Sequence, residues 1–196
     1  MKTFVKSENG LEKAVYRELV DWSSDVLSKV SPHFNNLPPC PYARKAWKDN
    51  KVGLIFNYQK GKETFYKTVS NYTDDFDLTI VIDFKFEEDP DDFHLFLDEM
   101  NDRISDGEFS DKDIWVMGFH PYDEESEFLE EVDFDPHTET EYSMTFVQRL
   151  TKLQEAAKKL EQIGYYENYG DEYDAREIYA KRERLHRRLK DGNETT

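Results

Sequence analysis

The chain holds a single cysteine, Cys40, in the run Leu37-Pro38-Pro39-Cys40-Pro41-Tyr42-Ala43-Arg44-Lys45. Proline is favoured at the first helical position, where its missing N–H costs nothing, so Pro41 predicts a helix over Tyr42 to Lys48 with Cys40 at its cap. A thiol at that place faces unpaired backbone N–H groups and the positive end of the helix dipole, conditions that favour thiolate. Residues 37–51 carry net +3 in a chain of net −17. Tyr42, Arg44 and Lys45 are therefore the candidates for stabilising a thiolate or binding an anion. The competing expectation is a small buried thiol packed under its loop.

The second candidate is His120. The run Asp113-Ile114-Trp115-Val116-Met117-Gly118-Phe119 reads as a strand, and Phe119-His120-Pro121 follows at its end, where a rigid scaffold presents functional groups on loops. Paired with Cys40, His120 would be the base or proton donor for a thiol nucleophile. Beyond it, residues 122–142 form an acidic stretch too long for a mere connector. Asp133, Asp135, His137 and Glu139 alternate within it, and Asp133, Asp135 and His137 with His120 could hold Mn, Fe or Zn; the alternative is a solvated acidic loop. No His-Glu-x-x-His, Gly-rich phosphate loop or Gly-x-Ser-x-Gly elbow is present, and no cofactor is identified.

Several elements must position these residues. Leu11, Val15, Leu19, Trp22, Val26 and Val30 recur at steps of four and three, predicting an amphipathic helix over 10–30. Residues 51–58 read as a strand, 61–72 as a helix, and 77–84 as a central strand because their apolar run is nearly continuous. Asp89-Pro90-Asp91-Asp92 starts a helix carrying Phe93, Phe96, Leu97, Met100 and Ile104. Phe146, Leu150, Leu153, Ala157 and Leu160 predict a second long helix over 143–163, stopped by Gly164. Residues 172–190 form a last helix, net +5 over 176–190, and 191–196 are expected to be disordered. The rhythm gives an α/β or α+β fold: a small sheet of at least three strands covered by amphipathic helices. Residues 1–170 are expected as one domain, with the basic C-terminal helix and tail appended.

With 37% hydrophobic and 35% charged residues over 196 positions, the chain has the composition of a soluble globular protein. One cysteine excludes an internal disulfide, and no signal core or membrane-length apolar run is present, so a cytoplasmic, non-membrane protein is expected. The charge is a band: residues 83–141 sum to −20. Such a band argues against direct nucleic-acid binding. It fits a solvated face, a surface for a basic protein partner, or self-association through the C-terminal helix.

The motifs Leu37-Pro38-Pro39-Cys40-Pro41-Tyr42-Ala43 and Phe119-His120-Pro121 resemble a bacterial and phage domain family of unknown function. That family is marked by Leu-x-x-Cys-Pro-Phe/Tyr-Ala and a downstream Phe-His-Pro. The resemblance covers about 11–160 and implies an α/β fold in which Cys40, Pro41, His120 and Pro121 belong to the pattern, with no settled activity. The family's Asn-Arg-Ser-Pro-Tyr-Pro element is replaced here by Thr140-Glu141-Tyr142-Ser143-Met144-Thr145, without its arginine and prolines. Cys40-Pro41-Tyr42 is also similar to the glutaredoxin redox motif, but Ala43 stands where the second cysteine would be, which rules out a dithiol mechanism. The expectation is a thiol-based Cys40/His120 enzyme site of unknown reaction; the alternative is a non-catalytic acidic protein that binds a basic partner or mimics nucleic acid.

Overall fold

A computed structural model describes residues 9–73, 75–106, 108, 113–123, 138–167 and 175–193. Helix α1 (Gly10–Trp22) is capped by Asn9, whose side chain accepts the Leu11 N–H. It continues as a π-helical turn over Ser23–Leu27, not as a regular helix to Val30. The periodicity holds only in part, because Val15, Leu19 and Trp22 are buried while Leu11 and Val30 are exposed. After a short turn at Pro32–Phe34 come α2 (Ala43–Lys48), β1 (Val52–Asn57), α3 (Glu63–Ser70) and β2 (Leu78–Asp83). Then follow α4 (Pro90–Ser105), β3 (Trp115–Phe119), β4 (Ser143–Gln148), α5 (Leu150–Gln162) and α6 (Ala175–Asn193).

The four strands form one sheet in the order β1-β2-β4-β3, with β1 parallel to β2 and β4 antiparallel to both of its neighbours. β4 is a correction, since residues 143–148 were expected to begin a helix. Phe146 and Leu150 fit the four-residue step by coincidence. Ser143-Met144-Thr145-Phe146-Val147 is wholly buried, and between two strands a fully covered segment satisfies its backbone by ladder bonds on both sides.

Side-chain alternation sends the strand residues to two faces. Val52, Leu54, Ile80, Ile82, Met144 and Phe146 pack beneath Val15, Leu19 and Trp22 of α1. On the other face Val116 and Val147 meet Phe65 and Val69 of α3 and Phe93, Leu97, Met100 and Ile104 of α4. Contact between α4 and β3 is close: a Cβ on Gly118 would lie 2.5 Å from the Met144 carbonyl oxygen and 2.7 Å from Phe93 Cζ. Asn101 of α4 also donates to the Val116 carbonyl (2.8 Å) and accepts the Val116 N–H (3.0 Å), which occupies edge-strand groups that would otherwise be open.

The C-terminal helix adds Leu185 to this core and ties Lys181 to Asp102 of α4, at 2.6 Å. Its backbone stays helical through Asn193, so residues 191–193 are not the expected disordered tail. Among the described residues no helix is long and apolar enough to cross a membrane.

Candidate functional site

The strand directions bring the C-terminal ends of β1, β2 and β3 to one edge of the sheet, beside the start of β4. Register there sets Asn57 opposite Asp83 and Asp83 opposite Ser143. His120 follows the last β3–β4 pair, Phe119 with Met144, and so continues the row. Four polar residues thus cross the sheet edge on the face covered by α3 and α4, where the next residues inward include Val81 and Thr145.

Above the row lies a small cleft lined by Asn57, Lys62, Thr64, Asp83, Ser143 and Thr145, with Phe65, Phe93 and Phe96 among its apolar walls. Its enclosed space of about 10 Å³ is room for one water-sized group. Asn57 is fixed on three sides: its Oδ1 accepts from Thr64 Oγ1 (2.8 Å) and the Gln59 N–H (3.2 Å), and its Nδ2 donates to the Gln59 carbonyl (2.7 Å).

Asp83 accepts the Lys85 N–H at 2.7 Å. Burial pushes its carboxyl above the usual carboxylate range, outweighing that hydrogen bond, the Asn57 amide and the Lys62 charge, which all act to lower it. The Lys62 ammonium pairs with Glu88 at 2.7 Å and lies 4.6 Å from the Phe96 ring centre. Among the described residues neither the Ser143 nor the Thr145 hydroxyl makes a hydrogen bond, although both residues are buried.

Glu88 joins this cleft to His120, since its backbone carbonyl receives His120 Nε2 at 3.1 Å while its carboxylate holds Lys62. His120 Nδ1 accepts the Tyr122 N–H at 3.2 Å, which makes Nε2 the protonated nitrogen. Only 1% exposed, the ring packs against Phe86, Phe93 and Tyr122. Burial lowers its pKa, so the imidazole is held neutral with both nitrogens engaged. The next turn is clamped by Asp123, which accepts the His120 N–H and bonds His94 Nε2, each at 2.7 Å.

Cys40 sits elsewhere, and its place corrects the expected cap. Tyr42 is the N-cap of the six-residue α2, and Cys40 lies in the preceding turn, where its N–H bonds the Leu27 carbonyl and its own carbonyl accepts from Ala43. The Tyr42 and Ala43 N–H groups act to lower the thiol pKa, although the Ala43 N–H is also bonded to the Cys40 carbonyl. The residue as a whole is half-buried, but the sulfur is deep enough that burial outweighs those bonds and raises the thiol pKa. Tyr42 and Arg44 are exposed, and Lys45 turns down the helix to pair with Asp49, away from the sulfur. The loop itself is anchored on the end of α5 and the turn after it, through the Tyr165 hydroxyl to the Pro39 carbonyl and Phe34 packed on Leu160 and stacked on Tyr165.

The neighbours of Cys40 and of His120 are therefore different sets, on the loop against α5 in one case and under α4 in the other. Asp133, Asp135 and His137 lie outside the described residues. Among the described residues no group of three His, Cys, Asp or Glu side chains is placed to hold a metal ion.

Three members of the polar row were missed from the sequence. Asp83 and Asn57 each close an apolar strand, a carboxylate or amide at the C-terminal end of a covered strand being the available signal. Ser143 carried none, because its segment was read as helix. No protein-family model, curated protein or solved structure matches this chain.

Proposed function

We propose that this protein binds a small polar ligand at the C-terminal edge of its sheet, with Asp83 as the group that exchanges a hydrogen bond or proton with it. The observation that carries this reading is the row Asn57, Asp83, Ser143 under a cleft that the Ser143 and Thr145 side chains also line, their hydroxyls making no hydrogen bond among the described residues. Sheets of this class gather ligands outside the carboxyl ends of their strands. A carboxyl whose pKa is raised by burial, in a cleft, is a candidate for exchanging a proton or hydrogen bond with a ligand. Thiol chemistry between Cys40 and His120 is the less favoured reading, because the sulfur is held as thiol and the imidazole has no free nitrogen.

A test is the amide NMR spectrum titrated with millimolar acetamide, 1-propanol, propionate and propylammonium. At least one fragment shifts Lys62, Val81, Asp83 and Thr145 without moving residues 37–42, and Asp83→Asn changes the response. Cleft amides that ignore all four fragments contradict the reading.

A second reading, binding of a basic protein in the cytoplasm without direct nucleic-acid contact, draws on the solvent face of α4. There Asp91, Asp92, Asp98, Glu99 and Asp102 surround Leu95, which is 56% exposed. Binding of a polylysine peptide that falls with salt and with Asp98→Lys/Glu99→Lys supports it; binding unchanged by that double variant contradicts it.

A further inference from the structure

Resting on that cleft, we infer that the group it takes is the ammonium end of a small primary amine. Lys62 and Asp83 are the charged groups in the lining; Lys62 pairs with Glu88, outside the lining, at 2.7 Å, and among the described residues the Asp83 carboxyl forms no ion pair of its own. Around it stand the Ser143 and Thr145 hydroxyls, which make no hydrogen bond among the described residues and can each accept one from an N–H. One carboxylate and two hydroxyls are the three acceptors that an ammonium requires. The enclosed volume of about 10 Å³ admits one water-sized group, and an –NH3+ is of that size.

The resident cation is held on the aromatic wall. Phe93 and Phe96 flank the Lys62 ammonium at 5.7 and 4.6 Å from their ring centres, and with Glu88 they engage that charge. An anion would instead approach Asp83 with its nearest cation already engaged by Glu88. A neutral hydroxyl would fit the space but add no positive charge beside the carboxylate.

Binding of the ammonium favours ionised Asp83, so affinity rises with pH as the carboxyl gives up its proton. The test compares three probes of one shape, propylammonium, 1-propanol and propionate, by NMR titration at pH 7 and again at pH 4. Propylammonium shifts the Asp83, Ser143 and Thr145 amides at least tenfold more tightly than 1-propanol, binds more weakly at pH 4, and loses affinity in Asp83→Asn and several-fold in Ser143→Ala. If propanol or propionate binds the cleft more tightly than propylammonium, the amine assignment is overturned while the cleft stands. Silence from all three overturns the amine assignment, and silence from acetamide as well overturns the cleft reading with it.

Discussion

The turn at Cys40 and the sheet edge at Asp83 are built from similar parts, an ionisable side chain at the end of an element with backbone N–H groups in reach. Their solvent access differs. At Cys40 the chain folds back on α5 and on the Leu27 carbonyl, and the sulfur is covered by its own loop. At Asp83 the cover comes from a different element: α4 rises from Glu88 and leaves a cleft in which a half-buried carboxyl and two hydroxyls face a small opening. Burial raises both groups toward their neutral forms. Of the two, only the carboxyl lines a cleft, and on the proposed reading that is where a ligand meets it.

The largest test of this contrast is Gly118→Ala. Its new Cβ meets the Met144 carbonyl and the Phe93 ring, both part of the cleft's support. It should cost about 1–3 kcal/mol in urea denaturation and disturb the cleft amides before those of residues 37–42. An unperturbed stability would mean that α4 does not press on the strand in this way.

Next is Glu183, a carboxylate in the opposite condition to Asp83. Gln154 Nε2 donates to it at 2.8 Å, Lys158 and Arg187 pair with it, and its pKa is lowered to about 2. A depressed carboxyl contributes stability above its unfolded pKa and loses it as pH falls through the folded value. Glu183→Gln should therefore cost about 1–2 kcal/mol at neutral pH, with the deficit shrinking on acidification toward about pH 2.

Cys40→Ala removes one partly covered sulfur and should cost about 1 kcal/mol or less. Iodoacetamide should label native Cys40 slowly, accelerating only above the ordinary thiol range. Rapid labelling near pH 7 would reverse the contrast between the two regions.

The smallest effect expected is a gain. Asp83 ionises above its unfolded pKa in the folded chain, so the unfolded state holds fewer protons through that window and stability falls as pH rises. Asp83→Asn removes this penalty. It should raise the urea midpoint slightly at pH 7 and have no effect at pH values below the ordinary carboxylate range, where both states are protonated.

The sheet was legible wherever a strand stood alone between polar boundaries. Leu78-Thr79-Ile80-Val81-Ile82 announces a doubly covered strand, and Asp89-Pro90 announces the start of α4, where Asp89 accepts the Asp92 N–H at 2.9 Å. Residues 143–148 were not legible, because β4 runs into α5 across Arg149 alone and one apolar spacing spans both. The site was hidden for a related reason. A row across four strands depends on register, and no local pattern carries the pairing of Asn57 with Asp83 or of Asp83 with Ser143. His120 was legible as a strand-end residue, but its burial among Phe86, Phe93 and Tyr122 was not, because those rings come from separate parts of the chain.

The most direct measurement is a pH titration of the Asp83 side-chain carboxyl carbon by 13C NMR. The account predicts a midpoint above the ordinary carboxylate range that falls when propylammonium is added. A midpoint at or below that range, unmoved by the amine, would contradict it.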